Sequence, residues 1–260
     1  MAEGRVTARL DLPPGLPSES EARALYFEEI EQALEADPAL QNVALASSIP
    51  FGSEWESMAV FIPGVTDDPN DLPVVQQRRV TTDFLDVAGI PLMAGRTFER
   101  TDGLESPLVA IVDETFANQL FQGEDPIGRT IRYPWRGAPD IRIVGIAGAT
   151  TDEDLASDAE PTVWMPLGQF AGGLIGHGVV VARTGGDPAA ALGALQSRAR
   201  SFDDRMAVSQ LATYSELLSD SLASARLMST LLLIFAATTL ALGCVGVYGV
   251  ATFSARERVR

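Results

Sequence analysis

Apolar and polar residues alternate along VTARLDL. Val6, Ala8, Leu10 and Leu12 lie on one side and Thr7, Arg9 and Asp11 on the other, the two-residue period of a half-buried strand. Ser18 and Glu21 have the spacing of a capping box. In the helix they would open, Tyr26, Ile30, Ala33 and Leu34 share one face, and Asp37-Pro38 ends it. A second strand is expected around 43–46. The same order returns later in the chain. Residues 179–182 read as a strand, and Asp187-Pro188 as an N-cap and first helical position. Leu192, Leu195, Ala199 and Phe202 then line a helix, and residues 206–211 suit a closing strand. Two βαβ units of similar length predict an α+β domain: a four-stranded, ferredoxin-like sheet with two helices on one face.

Between the two units lies a long insertion, about 51–175, punctuated by Gly and Pro. It holds strand candidates at 58–62, 76–80, 108–112, 130–133, 141–146 and 162–165, and one short helix at 114–121. It is expected to form a smaller, inserted α+β lobe. With no Gly/Ser linker in sight, the lobes should pack together rather than swing on a tether. The expected division is therefore 1–50 and 176–212 for the first lobe and 51–175 for the inserted one.

After residue 212 the pattern changes. Thr213 and Glu216 make another capping box, and Leu218, Leu222 and Ala225 line one side of the helix that follows. No breaker separates it from 227–255, a stretch without a single charged residue. Residues 231–250 (LLLIFAATTLALGCVGVYGV) would span about 30 Å as a helix, the thickness of a bilayer's hydrocarbon core. Thr238 and Thr239 can return their hydroxyl bonds to the helix's own carbonyls. Gly243, Gly246 and Gly249 recur every three residues; they suit close helix packing and equally suit glycine merely tolerated in lipid. The prediction is a stalk helix over 213–226, ending near Arg226, that runs on into a membrane span over 227–255.

Charge sharpens this division. The chain has 260 residues, 35 acids and 19 bases, all of the bases Arg, for a net charge of −16. Residues 1–225 hold 15 Arg and 34 acids, whereas 226–260 hold 4 Arg and 1 acid. Arg256, Glu257, Arg258 and Arg260 follow the span, so the positive-inside rule puts the C-terminal end in the cytoplasm and residues 1–225 outside, at the cell membrane. Residues 256–260 would begin a cytoplasmic segment. The opening MAEGRVTARLDLPP lacks the apolar core of a signal peptide, and the whole reads as a piece of a longer polytopic protein. The acidic balance argues against a nucleic-acid partner.

Site chemistry is sparse. One Cys and one His exclude a disulfide framework and multi-thiolate or multi-imidazole metal centres. Without lysine there is no P-loop, so no cofactor is expected on this chain and any ATP must be bound elsewhere. His177 has no nucleophile motif beside it. The acidic run Asp152, Glu153, Asp154, Asp158 and Glu160 lacks the ligand spacing of a calcium loop and reads as a solvated segment. Glu99 and Asp102 form no more of an acid/base pair than chance supplies. No enzymatic activity is expected.

GIPLMAGRTFERTD (89–102), VAIVDETFANQLFQGEDPIGRTI (109–131), IVGIAG (143–148) and TVWMP (162–166) resemble the periplasmic core domain of MacB-type ABC-transporter permeases. The run from 221 to 260 is similar to the start of the FtsX-like permease domain that follows it. The resemblance covers essentially the whole chain and rests on the order and spacing of these runs. It implies a porter-like lobe built from the βαβ pair, a smaller inserted lobe, and further spans before and after this segment. It also implies a separate ABC-type ATPase subunit docking near Arg256, Glu257 and Arg258, a second permease copy or half, and partner proteins outside the membrane. The function implied is a non-catalytic permease subunit that relays ATP-driven motion outward, for export or mechanical work. The alternative is a membrane-anchored sensor or ligand-binding module, and behind it a membrane-tethered enzyme.

Overall fold

The computed structural model describes residues 4–16, 20–50, 56–66, 68, 71–150, 160–170, 176–217, 219, 230, 232–240 and 242–243. The chain divides into two units, Met1–Leu218 and Ser219–Arg260.

In the first unit, β1 (Arg5–Asp11), α1 (Ser20–Glu35) and β2 (Leu40–Ala46) make one βαβ unit. The second consists of β10 (His177–Thr184), α5 (Pro188–Phe202) and β11 (Ala207–Thr213). Their strands lie in the order β11-β1-β10-β2, every neighbour antiparallel. That is the order of a split βαβ pair. Asp187 caps α5 by accepting from the Ala189 amide at 3.0 Å, with Pro188 following it. Ser18, the expected cap of α1, lies outside the described residues.

The inserted segment supplies β3 (Ser57–Ala59), β4 (Val74–Val80), α2 (Phe84–Ala88), β5 (Leu92–Gly95) and β6 (Val109–Asp113). These are followed by α3 (Glu114–Phe121), β7 (Thr130–Ile131), β8 (Ile141–Ala147), β9 (Thr162–Pro166) and α4 (Leu167–Phe170). The long strands do not form a sheet of their own. They continue the first one as β2-β4-β9-β6-β8-β5, giving a mixed α+β unit around one eleven-stranded sheet. The join is narrow: β2 and β4 share a single register pair, Ala46 opposite Val80. Three elements were not expected from the pattern, namely α2, β5 and α4, each five residues or fewer. Such lengths are too short to display a helical or strand period. The strand expected at 130–133 stops at Ile131, and Arg132 bridges to Phe61 instead.

Three apolar clusters fill the unit. Val6, Ala8, Leu10, Val43, Leu45, Val180 and Ala182 face α1 and α5, which contribute Phe27, Ile30, Leu34, Ala191, Leu195 and Ala199. The next residues along β2 and β10, namely Ala44, Ala46, Val179 and Val181, point to the opposite face. There they meet Val80, Ile111, Trp164 and the α2 residues Phe84, Leu85 and Val87. A third cluster lies around Ala110, Val112, Ile143, Val163, Met165 and the α3 residues Phe116 and Phe121. Strands buried on both faces explain why VALA, VVVA and VAIV read as unbroken apolar runs rather than alternating ones.

Polar ties reinforce the packing. Asp113 is wholly buried, and its carboxylate accepts from the Phe116 amide at 2.7 Å and the Thr162 amide at 3.0 Å. One side chain thus caps α3 and fastens β9 beside it. Gly95 and Gly145 lie where a Cβ would collide with backbone of the facing strand, so the GIPLMAGR and IVGIAG runs are matched surfaces of β5 and β8. In the loop after β5, Asp102 takes two bonds from Arg96, at 2.8 and 2.9 Å, and one from the Glu99 amide. Burial works to raise its pKa, yet these bonds together hold it below the usual carboxylate value. Asp102 is thus a loop staple, and Glu99 supplies it a backbone amide.

In the second unit, 232–240 and 242–243 are helical, and every described side chain there is exposed. Leu232, Leu233, Phe235, Leu240 and Leu242 are about two-thirds exposed or more, and with Ile234, more than half exposed on the opposite side, they surround the helix. Thr238 and Thr239 donate their hydroxyls to the Ile234 and Phe235 carbonyls, at 2.7 and 2.8 Å, as expected. Among the described residues no helix is long and apolar enough to cross a membrane. The expected span over 227–255 lies largely outside them.

Replacing Asp113 with Ala removes the acceptor for two buried amides. The cost expected in urea unfolding of the chain is about 2–4 kcal/mol, with Asp113→Asn losing less because one oxygen remains.

Candidate functional site

The helix expected to leave the domain starts where the sheet ends. β11 is an edge strand, and Gln210 within it adopts a left-handed conformation (φ 49°) where the register against β1 shifts. Such a bulge bends and blunts an edge. The opposite edge strand, β5, carries a shift of its own between Leu92 and Ala94. β11 ends at Thr213, and residues 214–217 form the next helical turn. The reciprocal bonds of a capping box are present there. The Glu216 carboxylate accepts from the Thr213 amide at 2.7 Å, and the Thr213 hydroxyl accepts from the Glu216 amide at 3.2 Å. The bonds from the Thr213 backbone and side chain hold the Glu216 carboxyl below its ordinary value.

This turn is seated, not dangling. Tyr214 is buried, and Leu217 packs against the cluster built around α2 and Trp164. That cluster is the one the two lobes share, since it draws on β2 and β10 from one side of the narrow join and on β4, β6 and β9 from the other. Within it Phe84 and Trp164 are both wholly buried, with ring centroids 5.7 Å apart. The Arg78 guanidinium lies 5.1 Å from the centroid of the Trp164 ring, a cation–π contact inside the core.

The shared cluster is locked from outside by α2. Gly89, at φ 77°, ends the helix in a Schellman motif, with its amide bonded to Asp86 O and the Ile90 amide to Leu85 O. Two arginines of the first lobe bond to carbonyls at this end of α2, one of them, Asp86 O, already holding the Gly89 amide. Arg5 of β1 donates to Val87 O at 2.6 Å, and Arg183 of β10 donates to Asp86 O while pairing with the Asp86 carboxylate at 3.1 Å. A Cβ at residue 89 would collide with the Arg5 guanidinium. These residues were missed from the sequence. Arg5 and Arg183 were not singled out at all, and Gly89 stood out only as the first residue of a motif.

Of the residues singled out from the sequence, Thr213 and Glu216 come together as described. Leu218, Leu222, Arg226, Gly246, Gly249, Arg256, Glu257 and Arg258 lie outside the described residues. Gly243 is helical with open space where a side chain would be. His177 opens β10 opposite Asp11, half-buried. Burial and then Arg9 lower its pKa, against weaker pulls from Asp11 and Glu56. Among the described residues no group of three or more His, Cys, Asp or Glu side chains could hold a metal ion.

Two substitutions probe this arrangement. Gly89→Ala should destabilise the chain by about 3 kcal/mol, combining left-handed backbone strain with displacement of a charged hydrogen bond. Gly137→Ala, at a similar φ but with nothing nearby, should cost only the backbone part, about 1–2 kcal/mol by urea unfolding. Thr213→Ala should raise hydrogen exchange in 214–217 through loss of a cap worth about 1 kcal/mol. Because Glu216 has a depressed pKa, its share is present at neutral pH and lost as pH falls below the ordinary carboxylate range.

The family model of the MacB-like periplasmic core domain matches residues 6–198. A macrolide export ATP-binding/permease protein MacB 2 from Aeromonas hydrophila is 28% identical over 191 residues, covering 70% of this chain and 28% of that protein. MacB proteins of Neisseria gonorrhoeae match over 63 residues at 32% identity, 9% of their length. The chain therefore spans less than a third of the curated relatives it matches. Among solved structures, the periplasmic region of MacB from Actinobacillus actinomycetemcomitans superposes with a TM-score of 0.57 at 14% identity, covering 85% of this chain and 93% of that one. The extracellular domain of the noncanonic ABC-type transporter YknZ from Gram-positive bacteria gives 0.52 at 16% identity, covering 78% and 98%. With most of the first unit inside the matched range, the chain belongs to the family of MacB-like periplasmic core domains, found in ABC-transporter permeases.

Proposed function

We propose that this chain is the extracytoplasmic domain and following membrane helix of a non-catalytic permease subunit in a MacB/FtsX-type ABC transporter. In this reading a separate ATPase subunit binds and hydrolyses ATP in the cytoplasm. Its motion passes through the membrane helix over 227–255 and the stalk over 213–226 into the two lobes outside, for export or for mechanical work on partner proteins there. Gly243, Gly246 and Gly249 would pack against neighbouring helices of the same permease or a second copy, and Arg256, Glu257 and Arg258 would begin the segment that meets the ATPase.

The observation that carries the reading is the seat of Leu217. A helix whose first turn is capped by Glu216 and packed on the core common to both lobes delivers displacement to both at once. A tether joined to one lobe alone would not. The second unit adds support, since a helix with large apolar side chains on every side suits lipid better than water. The names of the relatives join permease and ATP-binding parts in one protein, which agrees with an ATPase partner. Substrate is left open, because no described residue selects one.

The test is a break in the rod. In the proposed stalk helix, Leu222→Pro would remove a helical hydrogen bond and clash with the preceding turn, at a cost of about 3 kcal/mol. In the full-length permease reconstituted with its ATPase, this variant should keep at least half of the ATP turnover. The outward movement, read by a fluorescence pair across the two lobes, should fall at least tenfold. Leu222→Ala should leave both intact. Unchanged coupling in Leu222→Pro would overturn the proposal.

A further inference from the structure

The acidic outer part holds one basic stretch. Residues 128–142 carry four Arg and one acid, a charge of +3, whereas residues 1–225 as a whole carry 15 Arg and 34 acids. Two of the four arginines are paired. Arg129 meets Glu124 at 2.6 Å, and Arg132 meets Asp140. Arg136 and Arg142 are exposed and make no hydrogen bond or ion pair among the described residues.

In the same loop stands Trp135, 52% exposed but not loose. Its ring stacks on that of Tyr133, with centroids 4.4 Å apart and planes 11° from parallel. Tyr133 is anchored in turn, its hydroxyl donating to Gln77 Oε1 at 2.7 Å. The Ala138 amide donates to Trp135 O at 3.1 Å, Gly137 takes the left-handed backbone of the turn at φ 80°, and the Arg132–Asp140 pair closes the base of the loop. An indole fixed in place before a partner arrives loses little conformational freedom on docking. Trp and Arg are also the residues that concentrate binding energy at protein interfaces.

A surface of opposite charge lies on the first lobe. Along α1 the exposed residues Glu21, Leu25, Glu28, Glu29 and Gln32 fall at helical steps that put them in one stripe, about 16 Å long. Leu25, 53% exposed, has a carboxylate one turn away on either side. Arg23, the one base of α1, lies off the stripe. We propose that the Trp135 loop of one copy docks on the α1 stripe of a second copy, with the indole against Leu25 and Arg136 and Arg142 toward Glu21, Glu28 and Glu29. The occupant is a second copy because both halves of the charge match belong to this chain. The two surfaces differ, so two copies close on each other only by making the contact twice; made once, it extends from copy to copy. One loop on one helix face is small beside the interfaces of lasting complexes, so the contact suits copies that are already held close. It is a property of the first unit alone and does not depend on the transport reading.

The experiment traps the contact with a short bismaleimide. The full chain carrying Cys244→Ser is made as two single-cysteine variants, Pro139→Cys in the loop and Gln32→Cys on the stripe, and each is treated in detergent micelles alone and mixed with the other. The mixture should give about fivefold or more cross-linked dimer than either variant alone. Trp135→Ala in the loop variant should remove most of that excess, as should 1 M salt, where the screening length falls to about 3 Å. Arg136→Glu with Arg142→Glu should abolish it, and Glu28→Arg with Glu29→Arg in the stripe variant should restore it, which general damage to the fold could not do. A mixed yield no higher than the separate ones would overturn the proposal. Dimers between identical Pro139→Cys chains would mean that the loop meets its own kind, and no dimer at all that it serves some other anionic partner. An excess that survives Trp135→Ala, or a charge reversal that the opposite reversal fails to rescue, would overturn it equally.

Discussion

Phe84, Trp164 and the small residues packed around them hold together a sheet that is one register pair wide at its middle. Backbone hydrogen bonds alone could not keep two lobes in register there, since so few cross the join. The task falls to burial. Ala44, Ala46, Val179 and Val181 from one side meet Val80, Ile111 and Trp164 from the other, with α2 laid across them. Apolar burial is non-directional, so such a core resists separation strongly and rotation weakly.

The capped turn at 214–217 rests on this same cluster through Leu217, at the point the two lobes have in common. Arg5 and Arg183 hold α2 from the far side through carbonyls of its last turn, Val87 O and Asp86 O. The bulged edges at Gln210 and Met93 keep the long sheet from inviting other strands.

Elements that obey local rules were legible without the fold. The helix at 114–121 was read with the bounds it has, and the structure shows Asp113 capping it. The capping box of Thr213 and Glu216 and the N-cap at Asp187 were equally plain, each depending on residues within three positions of one another. The α2 keystone was not. It spans one and a half turns, and its meaning lies in contacts 80 to 100 residues away in sequence. Asp113 was not singled out, either as that cap or as the tie to Thr162, which is 49 residues distant.

By itself the sequence determined the local elements, the two βαβ units, the acidic outer part and the apolar tail, because each is written in spacing or composition over a few turns of chain. It also carried the family's motifs, whose glycines mark close backbone approach. Only the tertiary structure decided that the inserted strands extend the first sheet, that one core serves both lobes, and that an arginine pair covers the end of α2. Those outcomes depend on which faces meet after folding, and no pattern of nearest neighbours encodes a contact between residues so far apart along the chain.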